Sequence, residues 1–273
     1  MVSAEPIKLN KMRKNSTLVI IAGAAGEIGS AYCQKVIESG IDCIGVIRNR
    51  AISIKSPLLR EIKCDLSSQQ SIVESFANVD FSLYKKVIYL HTIGQDKFES
   101  RGYPNIIPME TIPVDVYDTN VNTFKYLLRF LVSTINKSNS ENGEAHTKIR
   151  IAIIAGVGDK HSPFVIESFC EAKFILRQYI RSYIEIYPKI VSGLSINVTS
   201  TITESALKVR RFANTEFWLT PLEVVDQSFK KLLSTTSKYS EIDIVKKSPE
   251  FFPEYYASND VLYKKWSKET GIE

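Results

Sequence analysis

The chain has no hydrophobic run long enough to cross a bilayer. Its longest apolar stretches, around 18–25 and 151–157, are about eight residues each, against the ~20 that a spanning helix needs. Cysteine is scarce: Cys33, Cys43, Cys64 and Cys170 show no paired spacing, and three of them fall in apolar or periodic segments. That argues against a disulfide framework or a zinc site and for buried thiols in a reducing compartment, so no metal is expected and the expected location is cytoplasmic. Charge of one sign is not concentrated either. Lys and Arg number 35 against 30 Asp and Glu, and the net +5 is spread along the chain, a mild bias toward anionic ligands. No repeat period and no linker divides the sequence. Residues 1–16 carry Lys8, Lys11, Arg13 and Lys14 without an apolar core, so they read as a loose arm and not a signal peptide, followed by one domain over 17–273.

What is present is 44% apolar and 24% charged, the balance of a globular chain with a sizeable core. Short Val- and Ile-rich runs alternate with longer segments of helical period. The runs at 17–22, 43–48, 61–64, 86–91, 149–155 and 191–198 read as strands, with 241–245 as a possible seventh. The segments 27–39, 68–78, 114–136, 166–186 and 221–234 have apolar residues at i, i+3, i+4 and i+7 and read as crossover helices. This predicts an α/β fold, a Rossmann-like doubly wound parallel sheet of six or seven strands with helices on both faces. Residues 96–113, with three prolines, read as a loop over the carboxyl edge of the sheet, and 136–147 as an exposed polar connection.

The first strand runs straight into Gly23, Gly26, Glu27, Ile28 and Gly29, and a helical pattern starts at once. Glycines between a strand and a helix N-terminus let main-chain N–H groups and the helix dipole face a pyrophosphate, because no Cβ blocks the approach. Gly23 would make the turn, Gly26 would admit the phosphates, and Gly29 would let helix and sheet pack closely; the alternative is a merely tight loop. At the end of the second strand stand Arg48, Asn49 and Arg50, with no acid to hold a ribose diol. That favours NADP(H) over NAD(H), since guanidinium pairs well with a 2′-phosphate, the alternative being a solvated loop.

Taken together these residues resemble the short-chain dehydrogenase/reductase family over nearly the whole chain. Asp65-Leu66 resembles the pair that holds the adenine. His91-Thr92-Ile93-Gly94 occupies the place of the family's Asn-Asn-Ala-Gly turn with Gly94 retained. Asn120 resembles the asparagine of the proton relay, with Asn122 as the other occupant. The resemblance puts catalytic chemistry on a serine and a Tyr-x-x-x-Lys. Lys173 fits the lysine, but Phe169 stands at the tyrosine and Gly156, thirteen residues earlier, at the serine. The variant spacing of the enoyl-reductase branch meets Ile166. Phenylalanine cannot protonate a developing alkoxide, and general acid catalysis is commonly worth ~10²–10⁴-fold, so an atypical active site is expected.

Several side chains could act instead. His161, with Ser162 beside it, lies in the loop after the fifth strand and could replace the acid or simply be solvated. Tyr103 lies in the loop after the fourth. His91, Cys170 and Glu171 have packing or solvation as their simpler roles. Lys173 could hold the nicotinamide ribose or be surface charge. The resemblance implies a homo-oligomer built on the two long helices after strands four and five, although their aromatic face could equally be core. Residues 199–203 carry hydroxyls where the family has Pro-Gly and threonine, and the lid at about 199–220 contains Lys208, Arg210 and Arg211, pointing to an anionic or carrier-bound small-molecule substrate. The aromatic, lysine-rich tail is expected to pack over the sheet end or form an interface. No nucleic-acid module is present and no membrane partner is expected. The functions in view are an NADP(H)-dependent oxidoreductase, a non-redox dehydratase, isomerase or cyclase on the same scaffold, and a catalytically silent subunit or regulator.

Overall fold

The computed structural model describes residues 17–99, 105, 109–141, 147–234, 237–247, 249 and 255–272. Its seven strands, β1 (Thr17–Ala22), β2 (Asp42–Ile47), β3 (Leu59–Lys63), β4 (Lys86–His91), β5 (Lys148–Gly156), β6 (Val191–Val198) and β7 (Tyr239–Ile244), form one sheet in the order β3-β2-β1-β4-β5-β6-β7. Every pairing is parallel, so all strand carboxyl ends lie along one edge. The order reverses at β1, which pairs with β2 on one side and β4 on the other, and an open parallel sheet forms its ligand crevice at such a reversal.

Strand periodicity sorts the core into two layers. Leu18, Ile20 and Ala22 of β1 face one side, with Tyr89, Ile151 and Ile153, and are covered by α2 (Gln69–Phe76), α4 (Thr123–Glu141) and α5 (Glu167–Ile186). Val19 and Ile21 face the other side, with Ile88, Leu90 and Ile196, under α1 (Glu27–Glu38) and α7 (Pro221–Leu233). Because both faces are covered, central strands read as unbroken apolar runs; β1 buries five of its six residues. Each large aliphatic side chain buried this way contributes about 1.5–3 kcal/mol. Among the described residues no helix is long and apolar enough to cross a membrane. All four cysteines are buried free thiols.

Two expectations need correction. The polar stretch 136–147 is helical as far as Glu141, because Ile135 remains buried and the Asn139 side chain grips both the N–H and the carbonyl of Thr147 at 3.1 and 3.0 Å. The long helix after β4 is not continuous: α3 (Val114–Tyr117) passes through a π turn at Asp118–Asn122 before α4 begins. Asn120 in that turn donates to the Val116 carbonyl at 3.0 Å, taking the oxygen an ordinary ladder would use. The tail, expected to pack over the sheet end or to form an interface, packs beside the sheet end. It forms α8 (Asn259–Thr270), whose Leu262, Tyr263 and Trp266 pack with Phe164, Val165 and Cys170 beside the end of the sheet. The arm 1–16 lies outside the described residues.

A short helix, α6 (Glu204–Val209), precedes the residue that ties the tail down. Arg210 is buried between the rings of Trp218 and Trp266, at 4.4 and 4.3 Å from their centroids, and pairs with Glu269 of α8 at 2.5 and 2.7 Å. The chain has only these two tryptophans. Replacing Arg210 with Met leaves Glu269 buried and unpaired, and the expected cost is about 3–5 kcal/mol. Denaturant titration followed by tryptophan emission measures it; a loss within experimental error would refute the role assigned to this pair.

Candidate functional site

At the carboxyl edge the chain leaves β1 through Gly23, which has φ +83° and receives a hydrogen bond from the Gly26 N–H at 2.9 Å. A side chain at Gly23 would meet Thr92 Oγ1 at 2.8 Å, and one at Gly29 would stand 2.2 Å from the Gly23 carbonyl oxygen. Helix α1 therefore sits directly on the turn, and no side chain caps its N-terminus at Gly26. Main-chain donors there face the crevice, the arrangement an anionic group requires.

Two cavities meet at this turn. One, of about 410 Å³, is lined by Arg48, Asp65, Leu66 and Thr119; the other, of about 380 Å³, by Glu27, Ile28, Gly29, Gly94, Phe169 and Lys173. Gly23, Gly26 and Ile93 line both. The trough thus runs past bare backbone at its middle, the place where a dinucleotide carries its pyrophosphate. Asp65 accepts from the side chain and N–H of Ser67 at 2.7 and 3.0 Å, which holds its carboxyl below the usual range, with the Arg48 guanidinium a smaller contribution. Asn49 is exposed and does not line either cavity. Arg50 donates to the Ala25 carbonyl and pairs with Glu204 at 3.2 Å, while Glu27 accepts from the Glu204 N–H at 3.0 Å. These contacts fasten the start of α6 to the glycine turn.

In the second cavity the predicted residues converge. Gly156 and Phe169 are neighbours: a Cβ on Gly156 would lie 3.7 Å from the Phe169 ring and 3.8 Å from an Asp159 carboxylate oxygen, in ordinary contact. Lys173 is 2% exposed; its Nζ donates to the Ile93 carbonyl at 3.1 Å and lies 5.1 Å from the Phe169 ring centroid. Burial lowers its pKa from 10.5 to about 8, against the opposing pull of the nearby Asp159 carboxylate. Asn120 is fully buried, accepting from the Gln95 N–H and donating to the Gln95 carbonyl, each at 3.1 Å, so it pins the loop that carries Gly94. Asn122 instead bonds Asp118.

Other candidates lie elsewhere. His161 is exposed, stacks on Tyr256 and lines neither cavity; Ser162 beside it has φ +44° and bonds Glu171. His91 is buried against Tyr89 and Phe124, and burial holds its pKa well below the usual histidine value. Cys170 is buried, which pushes its thiol up. Tyr103 lies outside the described residues.

Of the three cations at 208–211, only Arg210 lines the cavity. Lys208 pairs with Glu204, Arg210 with Glu269, and Arg211 lies over the Phe212 ring. Packing has placed a carboxylate or an aromatic ring against each of these charges. Of the hydroxyls at 199–203, Thr199 accepts from the Lys246 N–H, Thr201 donates to the Thr199 carbonyl, and Thr203 caps α6.

Residues not anticipated complete the site. Asp159 is buried, accepting from the Gly156 N–H at 2.9 Å and from Arg177 at 2.7 Å, and Arg177 reaches on to Asn197 at 2.8 Å. Asp96, two residues past Gly94, lines the cavity, and burial raises its carboxyl above the usual range. Tyr256 and Trp266 form part of the wall. The aromatic content of the tail was the visible signal for the last two; a single acid in a loop gave none.

No known family model matches the chain, and no curated protein matches its sequence. Solved structures do match its fold. A short-chain dehydrogenase from Burkholderia cenocepacia in complex with NADP aligns with TM-score 0.67 at 13% identity, over 93% of this chain and 99% of that one. The 3-ketoacyl-(acyl-carrier-protein) reductase of Brucella melitensis complexed with NADH gives 0.64 at 15% identity, over 85% and 98%. The aldohexose dehydrogenase of Thermoplasma acidophilum gives 0.63 at 15%, over 88% and 98%. The class defined here is a fold: the chain has the Rossmann-like architecture of the short-chain dehydrogenases.

A lysine with a lowered folded pKa binds fewer protons folded than unfolded between about 8 and 10.5, so its contribution to stability rises with pH across that window. Relative to a Lys173→Met variant, the parent should gain up to about 3 kcal/mol between pH 8 and pH 10.5. Denaturant midpoints at several pH values check this; parallel curves would place Lys173 in water.

Proposed function

We propose that this chain binds a pyridine dinucleotide in the trough and acts as an oxidoreductase of the short-chain type on a small metabolite, with NADP(H) preferred. The observation that carries the reading is the pair of cavities joined at a glycine turn that no Cβ could share. In this reading the amides of the glycine turn hold the pyrophosphate, Asp65 and Leu66 flank the adenine, and Arg48 receives the 2′-phosphate. Lys173 holds the ribose on the nicotinamide side, and Asn120 keeps the Gly94 loop in place. When bound, the nicotinamide supplies or accepts hydride. The protein's own part is to orient the substrate beside that ring, to exclude water with the walls from α6 and α8, and to provide a polar group for the oxygen of the reacting carbon.

The site differs from the family pattern at that last task. Phe169 and Gly156 stand side by side where the resemblance expects tyrosine and serine, and neither has a side-chain hydroxyl to donate a proton. This supports a second reading, in which the nucleotide is bound by a catalytically silent subunit or by an enzyme of non-redox chemistry.

Titration with NADPH and NADH, followed by quenching of Trp266 and Trp218, tests the shared premise. Saturable binding below millimolar concentration is expected, tighter for NADPH. Arg48→Ala should erase most of that preference, roughly tenfold for one charge-assisted contact. Gly29→Ala should abolish binding, with circular dichroism reporting whether it still folds. If the parent binds neither nucleotide, the reading is wrong.

A further inference from the structure

We propose that Lys173 is an amine nucleophile that forms an imine with small aldehydes or ketones entering the cavity, and that Asp96 carries the protons of that reaction. This goes beyond the dinucleotide reading and does not require a nucleotide. In the resemblance a tyrosine would stand between the lysine and the substrate space. Here that position is Phe169, a ring that the ammonium can lie over but not hydrogen-bond through a hydroxyl. The Nζ therefore faces the cavity, and among the described residues its one hydrogen bond is to the Ile93 carbonyl.

The charged groups around it come from every neighbouring element. Asp159, in the loop after β5, favours the ammonium but is itself held by Arg177 and the Gly156 N–H. Arg177, one helical turn further along α5, opposes the charge; Asp96, from the loop after β4, favours it; the buried His91 ring at the end of β4 is held neutral. Burial outweighs the pull of the two carboxylates, which is how a lysine becomes nucleophilic near neutral pH. The remaining wall, with Ile154, Ile166, Tyr256 and Trp266, suits the apolar part of a carbonyl compound.

The bonds balance without an oxidant or reductant. Asp96 takes a proton from the Nζ ammonium, the freed lone pair attacks the carbonyl carbon, the C=O π pair moves to oxygen, and that oxygen takes the proton from Asp96. The Asp96 carboxylate recovers a proton from nitrogen and gives it to the hydroxyl, which leaves as water as nitrogen forms the C=N bond. The last N–H proton returns to Asp96. One amine and one carbonyl become one imine and one water.

Trapping tests the proposal on the native protein. Benzaldehyde with sodium cyanoborohydride converts an imine to a stable benzylamine, located by peptide mapping. The peptide carrying Lys173 should take up label with a midpoint near pH 8. At pH 7.5 it should do so roughly ten- to a hundredfold faster than exposed lysines such as Lys137. Asp96→Asn should slow labelling at Lys173 by about tenfold or more and leave Lys137 unchanged. NADP⁺ should protect Lys173 if it binds across the ribose position. Labelling without protection would spare this proposal and count against the dinucleotide reading. Lys173 remaining unlabelled while Lys137 reacts, or reacting with the same pH profile as Lys137, would overturn it.

Discussion

The contact between Gly29 and the carbonyl of Gly23 is the constraint from which the rest of the site follows. A Cβ at residue 29 would stand 2.2 Å from that oxygen, so only glycine lets α1 rise directly from the end of β1. With the helix that close, its uncapped N-terminus opens onto the strand edge. Because every strand is parallel, the loops after β4, β5 and β6 arrive at the same edge and build the two cavities around it. A looser α1 would separate the turn from the Gly94 loop, and the trough would lose its common middle.

The second organising effect is the disposal of buried charge. Asp159 with Arg177, and Glu269 with Arg210, are ion pairs almost wholly removed from water, and each uses further hydrogen bonds or aromatic faces to complete its surroundings. Such pairs add little net stability, yet removing one member is costly, so they fix geometry more than they strengthen it. One secures the end of β5 beneath the cavity and the other secures the tail above it. Lys173 is the exception: its neighbouring carboxylates do not offset burial in full, and a depressed ammonium facing a cavity is a chemical resource that a simple structural lysine lacks.

Much of the architecture was legible because it rests on local periodicity. β1, β4 and β6 begin and end where the apolar runs do, since central strands buried on both faces admit few polar residues. The edge strand β7 is mostly half-buried, so its boundaries slipped by one or two residues. The continuation of α4 into a polar segment could not be read from composition, because it depends on Asn139 reaching Thr147 across a loop. The π turn was hidden for the same reason: it arises from one asparagine meeting a loop distant in sequence.

The order of residues along the chain was sufficient to determine the alternating strands and helices, the glycine turn, and the absence of a hydroxyl at Phe169 and Gly156, all properties of neighbours or of fixed spacing. Only the folded arrangement decided which charges remain available. Arg210 reads as part of a basic lid until Glu269, fifty-nine positions away, is found against it. Asp96 has no pattern at all until the loop after β4 brings it into the cavity with Lys173. The reason is physical: hydrogen-bonding geometry within a turn is set by adjacent backbone, whereas the electrostatic state of a side chain is set by whatever packing places within a few ångströms of it.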